Sequence, residues 1–422
     1  MTTTGNLFEC LDAPTRELLR LCDRFASGRG ERAYLVGGRV RDLLLGRDSM
    51  DIDVVVVGDG MAVAQALSRQ SGGKLTRFHS FGTARVDLDD GRVIDFATAR
   101  RESYTRPGQL PQVQGGTLQE DLARRDFSIN ALALALAPDK PGQLIDEFGG
   151  VADLDDGLVR ILHEGSFIDD ATRMLRAVRF QLRFGYRLEA GTEQALAHAV
   201  RGGYVDSISG DRLRREVRKL YTEAPVKGPL ALAETGLLKA IQPDLEARRD
   251  ALETMATELQ RAPVGNGAEP WSLVLAATAA PLNPQQRWTL RNRLRLSRSR
   301  SEALMDAGAP WERVRAALSE LRSPGERAAV LDSLAPGALR VVIATDSGVD
   351  ANIVVAIRRY LDHDRAVAPS LDGAALQAMG CPEGPALGEI LRALRVARID
   401  EVTVDRAAEE VLARRLIEAR AN

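Results

Sequence analysis

The segment YLVGGRVRDLLLGRDSMDIDVVVV, Tyr34 to Val57, limits what this chain can fold into more than any other stretch. Ala33 to Val36 is a short apolar run suited to a strand, and Gly37-Gly38 ends it. Val40 to Leu45 is helix-prone, with Gly46 placed to cap its end. Val54 to Val57 is a β-branched run suited to a buried strand. Asp51 and Asp53 sit at its mouth, and a period of two sends both side chains to one face. Two such carboxylates repel unless a cation lies between them. Mg²⁺ prefers carboxylate oxygens and leaves positions for phosphate oxygens. Backbone N–H groups of Gly37 and Gly38, at a helix start, suit a phosphate. Taken singly, a Gly-Gly turn or an Asp-x-Asp strand end is ordinary. Together, at the spacing GGxVRDxLLGxxxxDxD, they read as an anion cradle beside a cation site, as nucleotidyl transfer from a nucleoside triphosphate requires.

Composition sets wider bounds. At 422 residues the chain is long enough for several domains, and 45% hydrophobic residues supply their cores. No apolar run is long enough to span a bilayer, and MTTTGNLFECLD lacks the basic-then-apolar pattern of a signal peptide, so no membrane is expected. Cys10, Cys22 and Cys381 are scattered without metal spacing and fit a reducing cytoplasm. The four histidines form no zinc pattern. A net charge of −2 does not mark a nucleic-acid binder, so charge placement matters more. Arg287 to Arg300 carries six arginines and no acid. That block suits an RNA backbone or a solvated helix face, and the sequence does not choose between them.

Residues 8 to 28 read as helix, and alternating β-runs and short helices fill 30 to 136. LTRFHSFGTARVDL and RVIDFATAR read as strands. The polar stretch Ser103 to Asp121 holds two prolines and three glycines and reads as a mobile loop. From about 160 onward the pattern is helical, broken by Pro and Gly. On a helical wheel Met174, Leu175, Val178 and Leu182 fall on one arc, and Arg173, Arg176 and Arg179 on the other with Ala177 and Phe180. The plain reading is an amphipathic helix with a wet basic face. The apolar residues among the arginines point instead to a ligand on that side.

The glycine–aspartate segment resembles the signature of the polymerase-β nucleotidyltransferase superfamily. More narrowly, the chain resembles class II tRNA nucleotidyltransferases, the CCA-adding enzymes, and their bacterial poly(A) polymerase relatives. DLARRDFSINALAL (Asp121 to Leu134) is similar to that family's RRDFTINA motif. DDATRMLRAVRFQLRFGY (Asp169 to Tyr186) is similar to its EDxxRxxRxxRF helix, with Asp169 where Glu is usual. ISGDRLRREVRKL, ETGLLKAIQPDL and LDGAALQAMGCPEGPALGEIL follow in family order, while residues 250 to 365 match weakly.

The resemblance implies an α+β protein: a small mixed-sheet nucleotidyltransferase head (1–155), then an elongated all-helical neck (156–225), body (226–335) and tail (336–422). It implies template-independent addition of C, C and A from CTP and ATP to the tRNA 3′ end. An A-only tRNA enzyme or a poly(A) polymerase shares the same motifs, and RRESYTRPGQLPQV also resembles A-only enzymes. A catalytically dead RNA-binding relative and a small-molecule nucleotidyltransferase are the readings from other classes. Asp51 and Asp53 are the expected Mg²⁺ ligands, with Asp95 as a third catalytic carboxylate or a structural strand-end acid. Gly37, Gly38 and Arg41 are expected at the triphosphate, with Asp42 orienting Arg41. Arg125 is expected on the nucleotide, and Asp126 with Asn130 on the ribose. The other reading of that motif is a helix start with Asp126 as cap and Arg124 in a salt bridge. Asp170 and Arg173 are expected to read the base edge, supported by Arg176 and Arg179. The family also ties a flexible loop at 103–121 to the switch from C to A.

Overall fold

The computed structural model describes residues 7–48, 50–78, 82–103, 112–137, 141–261, 268–321 and 323–421. The chain forms two compact units, Met1–Glu216 with Glu234–Ala240, and Val217–Ala233 with Ile241–Asn422.

The first unit is built on a mixed sheet. In chain order it contains α1 (Ala13–Ser27), β1 (Arg32–Val36), α2 (Gly38–Leu44), β2 (Asp51–Val57) and α3 (Gly60–Ser71). There follow β3 (Lys74–Phe78), β4 (Thr83–Asp87), β5 (Val93–Thr98), β6 (Arg100–Ser103), β7 (Gln112–Gly115), α4 (Leu118–Ala123), β8 (Leu132–Ala135) and β9 (Leu144–Asp146). The seven-stranded sheet runs β3-β4-β5-β2-β1-β8-β9. Its β2–β5 pair is parallel, and its other pairs are antiparallel.

Strand β2 lies between two neighbours, which explains its composition. Val55 packs in a cluster with Val36, Ala133 and Leu122 on one face. Ile52, Val54 and Val56 alternate to the other face and are buried. Both faces are therefore covered along the second half of the strand, and a continuous valine run is what such a strand needs. Asp51 and Asp53 occupy the face of Val55 at the strand's open end.

The stretch from Ser103 to Asp121 is not all loop: β7 pairs antiparallel with β6, from Arg100↔Gly115 to Ser103↔Gln112. Thr117 and Glu120 then form a capping box that starts α4. The T-x-x-E signature was present in the sequence. Residues 104–111 lie outside the described ones.

The unit continues with α5 (Gly150–Asp156), β10 (Leu158–Val159), α6 (Ser166–Asp169), α7 (Thr172–Phe184), β11 (Arg187–Leu188), α8 (Ala190–Arg201) and the start of α9 (Gly210–Glu223). Helix α7 is buried more widely than an amphipathic wheel implies. Met174, Leu175, Ala177, Val178 and Phe180 are buried, and so are Arg173 and Arg179.

The second unit is helical throughout its described residues, and proline sets its punctuation. Pro270, Pro284, Pro324, Pro336 and Pro385 each stand in a first helical turn, where the missing N–H costs nothing. One core gathers Trp311, Leu331, Leu339, Ile357 and Tyr360, and another Leu371, Leu376, Ile390 and Leu394. The arginine block divides. Arg287 is buried and donates to the carbonyls of Leu282, Leu304 and Ala280 at 2.9, 2.6 and 2.9 Å. Arg300 pairs with Glu269 at 2.7 Å, whereas the Arg298 side chain is 93% exposed. Among the described residues no single helix is long and apolar enough to cross a membrane.

Candidate active site

The parallel register of β2 and β5 sets Asp53 opposite Asp95 and Asp51 opposite Val93. Burial pushes the Asp53 carboxyl up to about 6; Asp95 and Asp51 add to the effect and Arg125 opposes it. A half-buried acid with two carboxylates in its field is what a bound cation would relieve, so Asp51 and Asp53 fit a divalent metal. Asp95 does not join them as a third ligand in this structure. Arg85, its antiparallel partner on β4, grips both its oxygens at 2.9 and 2.8 Å. Among the described residues no three His, Cys, Asp or Glu side chains gather as a metal site.

The turn between β1 and α2 needs its first glycine. Gly37 has φ 73°, and a Cβ there would lie 2.7 Å from Nη1 of Arg125. Its N–H donates to Leu132 O at 2.9 Å and so is already engaged within the fold. Arg41 does not reach outward to fork a phosphate. It is buried, with Nε and Nη2 on Asp42 Oδ1 at 2.9 and 2.8 Å and Nη1 on Asn130 Oδ1 at 2.5 Å. Its guanidinium carbon also lies 4.8 Å from the Phe184 ring centroid. Arg41 ties the turn to the second motif, and Asp42 orients it.

In that motif Asp121 is fully buried and serves two arginines, Arg124 at 2.6 Å and Arg125 at 3.1 Å. Arg124 also meets Glu102 at 3.2 Å, as the salt-bridge reading expected. Arg125 thus has half a carboxylate for its own charge and stands beside Gly37 and Asp53. Asp126 is saturated. Oδ1 accepts from the Phe127 N–H and Asn130 Nδ2, both at 2.9 Å, and Oδ2 from Nε and Nη2 of Arg176. Burial works against this charge, but Arg176 and Asn130 outweigh it and hold the carboxyl down at about 2. A direct ribose contact therefore suits Asn130, which keeps a spare N–H, better than Asp126.

The expected base readers share a backbone bond, from the Arg173 N–H to Asp170 O at 3.0 Å, but their side chains take different partners. Asp170 Oδ1 accepts from the Thr172 N–H at 3.0 Å and Thr172 Oγ1 at 2.7 Å. Nη2 of Arg212, on α9, lies 2.8 and 2.7 Å from Oδ1 and Oδ2 of Asp170. Arg173 instead donates to Ser166 Oγ at 2.7 Å and to Arg124 O at 2.5 Å. It lines a cavity of about 240 Å³ with Arg124, His163 and Asp169. Arg176 feels the charges of Asp126, Glu216 and Asp170. Arg179 is buried with Nε 3.8 Å from Glu216 and its guanidinium carbon 4.7 Å from the Phe180 centroid. The arginine side of α7 is therefore packed, not wet.

Residues 33–160 match the family model for the poly A polymerase head domain, and residues 185–248 the one for a probable RNA and SrmB-binding site of polymerase A. A CCA-adding enzyme from Limosilactobacillus fermentum is 30% identical over 86% of this chain and 88% of its own length. The chain belongs to the class II tRNA nucleotidyltransferase family. A solved CCA-adding enzyme in an apo form aligns with a TM-score of 0.83 at 31% identity, covering 96% of this chain and 97% of that one. An A-adding tRNA nucleotidyltransferase from Geobacter sulfurreducens is 33% identical over 97% of this chain but only 48% of its own length. The chain spans about half the length, or less, of the curated relatives it matches first.

Within this class II framework, sequence reasoning missed Arg85, Arg212 and Phe184. The Arg85–Asp95 pair is directly cross-strand, so a fixed β4–β5 register would have disclosed it. Arg212 lay inside a quoted family helix with no role assigned. Nothing local in the sequence marks Phe184 as the shelf for Arg41.

Proposed function

We propose that this chain transfers nucleotides from nucleoside triphosphates to the 3′ end of tRNA, releasing pyrophosphate. The observation that carries this reading is the Asp51–Asp53 pair, with Asp53 raised to about 6 beside Arg125 and the Gly37 turn. Mg²⁺ held by Asp51 and Asp53 would supply charge neutralisation at the α-phosphate and acidify the attacking 3′-hydroxyl. The surrounding groups then divide the work. Gly38 and Arg125 meet the triphosphate, whose negative charge suits an arginine sharing its carboxylate with a neighbour. Asn130, held by Arg41 and Asp126, meets the ribose. Asp170 and Arg173 present an acceptor and a donor to the base.

The finer reading we favour is addition of the terminal A from ATP. It is supported by the Geobacter A-adding relative, which aligns over nearly all of this chain. The stretch RRESYTRPGQLPQV points the same way. Full CCA addition is the second reading, favoured by the Limosilactobacillus relative, which matches over 86% of this chain and 88% of its own length. One assay separates them. The protein is incubated with Mg²⁺ and tRNA ending at the discriminator base, at C or at CC, with CTP, ATP or both, and the products are sized. A-only activity extends the CC-ended tRNA by one A and leaves the shorter tRNAs unchanged. CCA activity completes all three. Failure to extend any tRNA rejects the proposal.

A further inference from the structure

We propose that Arg212 and Thr172 are positioning residues for base selection, locking the Asp170 carboxylate so that Oδ2 is its one open acceptor. The inference rests on the proposed nucleotidyl transfer and adds the residues that set its specificity.

The hydrogen-bond count around Asp170 carries it. Oδ1 receives three donors: the Thr172 N–H at 3.0 Å, Thr172 Oγ1 at 2.7 Å and Arg212 Nη2 at 2.8 Å. Oδ2 receives only Arg212 Nη2, at 2.7 Å. A carboxylate offers about four lone-pair sites over its two oxygens. Oδ1 is therefore filled, while Oδ2 retains a lone pair. The Asp170 side chain is 22% exposed, so that lone pair is within reach of a ligand. Arg212 Nη2 is also 3.3 Å from Thr172 Oγ1, which closes a three-residue ring and fixes the carboxylate plane.

The consequence is chemical. Adenine and cytosine carry an exocyclic amine that donates; guanine and uracil carry a carbonyl oxygen at the matching position. A fixed Oδ2 with one free lone pair accepts from the first two and repels the others. Were the carboxylate free to swing away, it would neither accept from an amine nor repel a carbonyl, and either class would fit. Discrimination thus depends on the two groups that hold Asp170 as much as on Asp170 itself. Arg212 does this with one nitrogen, Nη2, which lies within 2.8 Å of both oxygens.

The test compares Arg212→Gln, Arg212→Lys and Thr172→Val with the unchanged protein. Each is given CC-ended tRNA and ATP or GTP, and kcat/KM is measured for both. The ATP/GTP ratio should fall tenfold or more in Arg212→Gln and Thr172→Val. Arg212→Lys should recover only part of it, because a freely rotating ammonium holds the two oxygens less firmly than a rigid guanidinium. In an Asp170→Ala background, Arg212→Gln should leave the ratio unchanged. Lower thermal stability with an unaltered ratio would show a merely structural role and overturn the inference. Should Arg212→Gln fail to fold, Thr172→Val, which removes one hydroxyl, decides alone. Absence of any transfer by the unchanged protein defeats the underlying function; transfer with intact selectivity in the variants defeats only the role given to Arg212 and Thr172.

Discussion

Arg176, in the middle of α7, donates Nε to Asp126 Oδ2 at 2.8 Å, with Nη2 on the same oxygen. This bond joins the helix expected to read the base to the motif expected to hold the nucleotide. Fifty residues of chain separate the partners, so the ion pair is a tertiary link and not a local cap. It also accounts for the spacing of arginines along α7. Arg173 reaches back to the Arg124 carbonyl, and Arg176 reaches Asp126 one helical turn later.

Asp126 therefore makes stability depend on pH. Its folded-state pKa of about 2 lies below the ordinary value of 3.8. A carboxyl depressed in this way stabilises the fold above pH ~4 and loses that contribution as pH falls towards 2, by about 2 kcal/mol in all. Thermal melts of the intact protein should show a decline across that window. The Asp126→Asn variant should be less stable at pH 7 and flatter below pH 4, since its amide does not titrate. Parallel curves for the two proteins would refute the assignment.

The acids make a second prediction. Asp51→Asn and Asp53→Asn should each reduce nucleotide incorporation to background while tRNA affinity, read by gel shift, stays near that of the unchanged protein. Asp95→Asn should retain measurable turnover, because Arg85 already occupies both oxygens of Asp95. Equal loss in all three variants would restore Asp95 as a third ligand.

The sequence disclosed the parts of this site that depend on short-range pattern. The β-branched run, the glycine turn, the paired acids and the second motif all lie where periodicity and punctuation put them. It did not disclose which distant side-chain oxygen each arginine takes. Arg41 meets Asn130 across 89 positions and Arg212 meets Asp170 across 42. Such pairings are decided by packing, and an arginine's length lets it choose among several acids. The same reason explains Arg287. Composition marked it as one of six surface cations, yet it seals a set of carbonyls inside the second unit.

Gly37 offers a test that separates strain from crowding. Both Gly30 and Gly37 have positive φ, 75° and 73°. A Cβ on Gly30 meets nothing within 4 Å, whereas one on Gly37 meets Arg125 Nη1 at 2.7 Å. Gly30→Ala should cost roughly 1–2 kcal/mol of stability from backbone strain and leave turnover intact. Gly37→Ala should add to that cost a raised KM for the nucleotide, because Arg125 must move away from the turn. An unchanged KM would remove Arg125 from the triphosphate site.

Arg287 and Arg298 belong to one basic run but should behave oppositely. Arg287 is 3% exposed and satisfies the Leu282, Leu304 and Ala280 carbonyls. Burial lowers its pKa, and no carboxylate offsets that. The carbonyls justify the charge, and each loses its donor when the side chain is removed. Arg287→Ala should therefore destabilise the second unit by roughly 3 kcal/mol or more, read as a lower denaturant midpoint. The folded fraction should keep the salt dependence of tRNA binding, because a buried guanidinium displaces no counterions from RNA. Arg298→Ala, at a side chain 93% exposed, should change stability by no more than about 0.5 kcal/mol. A shallower salt slope in Arg287→Ala would place that residue on the RNA after all, and the carbonyl seal would then be the wrong account of why an arginine stands there.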